Sequence, residues 1–107
     1  MKDGGRLQAA IEVLDDIETR KRPVADALKD WGLSHRFAGS GDRVAIGSLA
    51  FDALRNRASA GWIMGEPSPR AAVLVTYART WGRGLAALDE ALTHPHAPAK
   101  LTKRERE

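Results

Sequence analysis

One segment that is apolar on nearly every side constrains this chain most. Over about residues 42–64, Val44, Ile46, Leu49, Ala50, Phe51, Ala53, Leu54 and Trp62 cover most of a helical circumference, while Ser48, Asp52, Arg55 and Ser59 form a narrow polar stripe. A helix of this kind has little polar face to turn to water, so it is expected at the centre of a helical packing. Gly47 interrupts it at a cost of about 1 kcal/mol relative to Ala, and a close helix crossing there would explain its presence. Asp42 or Ser40 is expected to cap the start.

The remaining periodic segments also read as helices. Over residues 5–19, Leu7, Ala10, Ile11, Leu14 and Ile17 recur on one face, and Gln8, Glu12, Asp15 and Asp16 fall opposite. A shorter helix starts near Pro23, whose fixed φ suits a first turn. It carries Val24, Leu28 and Trp31 on one face, with Gly32 expected as the left-handed residue that ends it. The Gly- and Ser-rich stretch 34–41 is a loop.

After the break at Gly65-Glu66-Pro67, Ser68-Pro69 is a cap and first-turn pair for a fourth helix reaching about Trp81. Val73, Leu74, Tyr77, Ala78 and Trp81 are expected inside that helix, and Thr76, Arg79 and Thr80 outside. Gly82 ends it. A fifth helix over about 84–93 presents Leu85, Leu88 and Leu92. Residues 94–99 form a Pro-broken turn. In the tail, Thr102 and Glu105 have the spacing of a capping box, the start of a further helix that stops before presenting an apolar face. The expectation is an all-α bundle of about five to six helices in a single domain over residues 1–107, cut short at its C-terminus.

The 107 residues include no Cys, which excludes disulfides, thiolate nucleophiles and Cys-ligated zinc. No apolar run reaches the roughly 20 residues of a membrane span, and the first residues lack the apolar core of a secretory signal. No membrane partner is expected, and a cytoplasmic location is. Net charge is unevenly spread: −3 over residues 1–19, +4 over 20–57 and +2 over 58–107. A basic middle of this kind either attracts a polyanion or forms a solvated surface.

Candidate contacts for such a polyanion follow the bases. Arg20, Lys21 and Arg22 sit between the first two helices, placed to track a phosphate backbone or to offset the acidic end of the first helix. Arg36 flanks the Gly39-Ser40-Gly41 loop, which leads into a helix N-terminus able to take a phosphate. That loop lacks the Lys-Ser/Thr ending and preceding strand of a nucleotide-binding loop, and a flexible connection is its other reading. Arg43 either pairs with a carboxylate or reaches RNA, and Arg57 completes the set. His94 and His96 have no third metal ligand nearby in sequence, and His35 has no evident catalytic partner. Trp31, Trp62 and Trp81 lie on apolar faces and are expected in the core. No catalytic, cofactor-binding or metal-ligating residue is assigned.

Three pieces of the chain together resemble a known family: Pro23-Val24-Ala25-Asp26-Ala27-Leu28; Asp42-Arg43 with Leu49 and Leu54-Arg55; and His96-Ala97-Pro98 with Leu101-Thr102 and Glu105-Arg106. Their order and spacing resemble the N-terminal, NusB-like helical domain of RsmB/NOP-type rRNA (cytosine-5-)-methyltransferases, also called the Sun/Fmu type. The resemblance covers about residues 6–106. It implies a NusB-like bundle joined in cis to a C-terminal methyltransferase domain, which would hold S-adenosylmethionine and the catalytic cysteines. None of that chemistry falls on this chain, so it is expected to be non-catalytic, to bind no cofactor, and to help engage small-subunit rRNA. The expected RNA-binding residues are Arg20, Lys21, Arg22, Arg36, Arg43 and Arg57. The alternatives are a protein-interaction or homodimerisation module and a free-standing NusB-like antitermination factor.

Overall fold

The computed structural model describes residues 2–35, 38–58, 68–102 and 105. Among them the protein is all-α: α1 (Asp3–Arg20), α2 (Val24–Ser34), α3 (Ser40–Arg55), α4 (Pro69–Val75), which runs on as a π-helical segment (Thr76–Thr80), and α5 (Gly84–Ala91).

The central helix is α1, because its apolar residues reach into two adjoining clusters. Leu7, Ala10 and Leu14 meet Leu49 and Ala53 of α3, residues 72–75 of α4, Tyr77, and Leu88, Ala91 and Leu92 at α5. Ala9 and Val13, around the same helix, meet Ala27 and Trp31 of α2, Ala38, and Ile46 and Ala50 of α3. Leu7, Leu14, Leu49 and Leu74 are fully buried, each worth about 1.5–3 kcal/mol relative to exposure.

The expectation for α3 is thereby corrected. Only the side carrying Ile46, Leu49, Ala50 and Ala53 is buried, whereas Val44 is 70% and Phe51 is 51% exposed. α3 is interrupted at Asn56, which caps it with its N–H bonding back to the Asp52 and Ala53 carbonyls, and residues 57–58 are again helical. Trp62, with the rest of 59–67, lies outside the described residues. Gly47 is not a forced close crossing either, since a Cβ there would meet only Leu28 Cδ1 at an ordinary 3.8 Å. The approach that does require glycine is at Gly4, where a Cβ would overlap the Ala91 carbonyl oxygen and come within 2.7 Å of Ala97 Cβ.

Helix ends differ from expectation in instructive ways. Gly32 does not end α2, which continues to Ser34 with His35 as its cap. The left-handed residue after α1 is Lys21, at φ 57°, its N–H returning to Ile17 O. Gly39 is the N-cap of α3. Asp42 closes a capping box from the third position, its Oδ2 accepting from Gly39 N at 3.2 Å. Ser68 caps α4 as expected, Oγ accepting from Ala71 N at 3.0 Å. Gly82, at φ 68°, ends the helical run.

Thr76, expected outside, is fully buried. The Trp81 N–H bonds to Thr76 O at 2.8 Å, five residues back. This wider turn displaces the following residues from the α-helical register. Thr76 Oγ1 accepts from Asn56 Nδ2 at 3.1 Å, which pairs its hydroxyl inside the bundle. At the far end, Thr102 N donates to Glu105 Oε1 at 2.9 Å and Glu105 N to Thr102 Oγ1 at 3.1 Å, the expected capping box. No helix among the described residues is long and apolar enough to cross a membrane.

Candidate nucleic-acid interface

Bidentate ion pairs decide which cations remain available to a ligand. Arg57 reaches back from the end of α3 to α1, where Nε and Nη2 donate to Glu18 at 2.7 and 2.6 Å. The guanidinium holds the Glu18 carboxyl below its ordinary range, and Glu18 in turn raises the Arg57 pKa. Arg57 is therefore held by an acid.

Arg22 is engaged still further. Its Nη1 donates to Asp16 at 3.1 Å, and its Nη2 lies against Asp30 and, at 3.4 Å, the Asp26 carbonyl. Asp30 is the main cause of its raised pKa. Arg20 lies 3.3 Å from the same Asp16, on an exposed side chain. The 20–22 cluster thus offsets the acidic end of α1, with Glu12, Asp16 and Asp30 lining the shallow hollow beside it. Lys21 is exposed but shares this acidic neighbourhood. Arg36 lies outside the described residues.

Arg43 has another setting. It projects over α2, and a Cβ on Gly32 would stand 3.8 Å from Arg43 Nε. With Leu28, Lys29 and Leu33 it lines a groove between α2 and α3. Its neighbour Asp42 turns the other way. Arg6 of α1 donates to Asp42 Oδ1 through Nε at 2.9 Å and Nη2 at 2.8 Å. That pairing is the largest cause of the lowered Asp42 pKa, with the Gly39 N–H adding to it. The two members of the Asp42-Arg43 motif therefore divide their roles: Asp42 ties α3 to α1, and Arg43 lies at the surface.

Of the bases on α2 and α3, Lys29, Arg43 and Arg55 find no carboxylate partner among the described residues. Of these, Lys29 and Arg55 are not among the RNA contacts expected from the sequence, although Leu54-Arg55 is one piece of the resemblance. The available signal was spacing, since Arg55 is four residues beyond Phe51 and shares its helical face. The outer face of α1 bears Glu12 and Asp15. On α2 and α3 the three bases stand among Asp26, Asp30, Asp42 and Asp52, of which Asp30 is taken by Arg22, Asp42 by Arg6 and Asp52 by the Trp81 indole.

The aromatic residues are structural where described. Trp31 is buried, donates from Nε1 to Glu12 at 3.3 Å and stacks in parallel on His35 at 4.2 Å. Trp81 Nε1 donates to Asp52 at 2.8 Å. A cavity of about 490 Å³ opens between α1 and the 94–97 turn, lined by Gln8, Glu12, His35 and His96 among others. Its Glu12 wall makes it a poor seat for phosphate.

No family model, curated protein or solved structure matches the chain.

Proposed function

We propose that this bundle is the RNA-engaging, NusB-like module of an rRNA cytosine-5 methyltransferase of the RsmB/NOP kind, acting by phosphate contact and shape and leaving methyl transfer to a catalytic domain in cis. The observation that carries the RNA part is the sorting of charge. Arg6, Arg22, Arg57 and Arg70 each bond a carboxylate, while Lys29, Arg43 and Arg55 gather on the α2–α3 side without one. Fixed cations without internal partners are what a polyanion can neutralise. The family part rests on the resemblance, and two of its motif residues serve as long-range anchors: Asp42 on Arg6, and Glu105 on Arg70 at 3.0 Å.

The test is an anisotropy titration with a small-subunit rRNA hairpin across a salt series. Reversing Arg43 and Arg55 together to Glu is expected to weaken binding at least tenfold and to reduce the salt slope by about 2. Reversing Arg57 acts on stability instead. Unchanged affinity in the Arg43/Arg55 variant overturns the proposal.

The exposed Leu33, Val44 and Phe51 favour a second reading as a protein-interaction or dimerisation module. A mass that rises with concentration, with no affinity for the hairpin at low salt, would select it.

A further inference from the structure

Phe51 is half exposed on the outer face of α3, the side that the other described helices leave unpacked. Helical spacing places Val44 two turns before it, Gly47 and Ser48 one turn before it, and Arg55 one turn after it. Asp52, between Ser48 and Arg55, is the acid at the edge of this stripe, and it is engaged by Trp81 Nε1 at 2.8 Å, while Asp42 is turned to Arg6. Arg43 stands at the near end, beside Lys29, and Arg55 at the far end. Along the axis the two arginines are separated by about 18 Å at 1.5 Å per residue.

We propose that this face is a stacking platform for single-stranded RNA: an unpaired base lies on the Phe51 ring, and the flanking phosphates are taken by Arg55 on one side and Arg43 on the other. An exposed aromatic ring between cations is the arrangement that binds unstacked bases with little sequence preference. Charge complementarity decides the occupant. Arg43 and Arg55 find no carboxylate partner while the nearby Asp42 and Asp52 are held by Arg6 and Trp81, which suits a polyanion, and the two large apolar side chains of the stripe are too few for the roughly 1,200 Å² of a stable protein interface. A symmetric contact with a second copy running antiparallel would set Arg43 against Arg55. The inference rests on the RNA reading above and names the part of the RNA that is held.

The experiment titrates the full chain with oligouridylate and with a fully paired RNA stem, for wild type, Phe51→Leu, Phe51→Trp and Arg55→Gln, each checked by circular dichroism. Oligouridylate affinity is expected to fall about tenfold in Phe51→Leu with the salt slope unchanged, because stacking is lost and the charges are kept. Phe51→Trp is expected to hold or tighten it. Arg55→Gln is expected to lower the salt slope by about 1. The paired stem, which offers no free base, is expected to respond only to Arg55→Gln. Wild-type binding to oligouridylate that Phe51→Leu leaves unchanged overturns the platform while the RNA reading stands. Failure of wild type to bind either RNA at low salt overturns both. Loss of self-association in Phe51→Leu without loss of RNA affinity also overturns the platform and gives the face to a protein contact.

Discussion

Arg6 and Asp42 are 36 residues apart in sequence and are joined by two charge-assisted hydrogen bonds, which fix the first turn of α3 against the first turns of α1. Asp42 also accepts from Gly39 N, so one carboxylate closes the α3 cap and sets the helix orientation. Its pKa is lowered, as are those of Glu18 beside Arg57 and Glu105 beside Arg70.

These three carboxylates determine the acid side of the stability profile. Each folded pKa lies below the unfolded value of about 4. The folded state therefore binds fewer protons than the unfolded state in that range, and stability rises with pH across it. The contribution is fully present above the unfolded pKa and is lost as pH drops through the folded one. Thermal melts are expected to show a constant midpoint near neutrality and a decline below about pH 4. Asp42→Asn keeps an acceptor for Gly39 N but loses the charge, so its midpoint is lower at neutral pH and its decline in acid is shallower. Equal slopes for the two proteins would remove Asp42 from this account.

Gly4 and Gly47 make opposite predictions for the same substitution. Gly4→Ala drives a Cβ into the Ala91 carbonyl and Ala97. Backbone there cannot swing aside, so the variant is expected to lose about 1–3 kcal/mol. Gly47→Ala meets only Leu28 Cδ1 at 3.8 Å, and its gain in helix propensity is expected to stabilise by up to about 1 kcal/mol. Urea denaturation of both variants checks the pair, and a Gly4→Ala protein as stable as wild type would refute the close approach.

Much of the fold is legible in the sequence because its signals are local. The apolar periodicity of residues 5–19, the Ser68-Pro69 start, the Gly82 stop and the Thr102–Glu105 box each depend on a few neighbouring residues. Where the reading failed, a tertiary contact overrode a local signal. Gly32 permits a helix end but does not require one. Val44 and Phe51 look like core by composition, yet only the packing of α1 decides which side of α3 is buried. Thr76 reads as exposed at a period of 3.6, yet it starts the π-helical turn fully buried, its hydroxyl paired with Asn56. At the candidate interface, sequence locates the bases but not their partners. Arg57 reads as available as Arg43 because Glu18 is 39 residues away, a separation no motif reports, whereas the partner of Arg22, Asp16, is six residues away and fits the alternative that this cluster offsets the acidic end of α1.

Asn56 ties that π-helical segment to the end of α3, donating to Thr76 Oγ1 at 3.1 Å and to Thr80 Oγ1 at 2.8 Å. Thr76→Val removes one acceptor while Thr80 keeps the amide paired, a loss of about 1 kcal/mol. Asn56→Ala leaves both hydroxyls without this donor, Thr76 among buried neighbours, and is expected to cost more, about 1–3 kcal/mol. Chemical denaturation should rank the two in that order, and the reverse order would mean that the Thr76 hydroxyl carries the contact alone.

Tyr77 gives the alkaline limit. It is the one tyrosine in the chain, is 5% exposed, and donates from its hydroxyl to Asp3 Oδ2 at 2.8 Å. Burial first, and then this bond to an anion, pushes its pKa up to about 12. The protonated phenol is favoured in the folded state, so between the unfolded value of about 10 and the folded one the unfolded chain binds fewer protons. Stability is therefore expected to fall as pH rises through that window. Tyrosinate absorbance should titrate late in the folded protein and near the ordinary value in urea. Tyr77→Phe removes the ionisable group and should abolish this part of the alkaline loss, while at neutral pH it leaves Asp3 without its donor and lowers the melting midpoint. A folded protein whose tyrosine titrates at the ordinary value would show that the Asp3 contact does not hold the phenol.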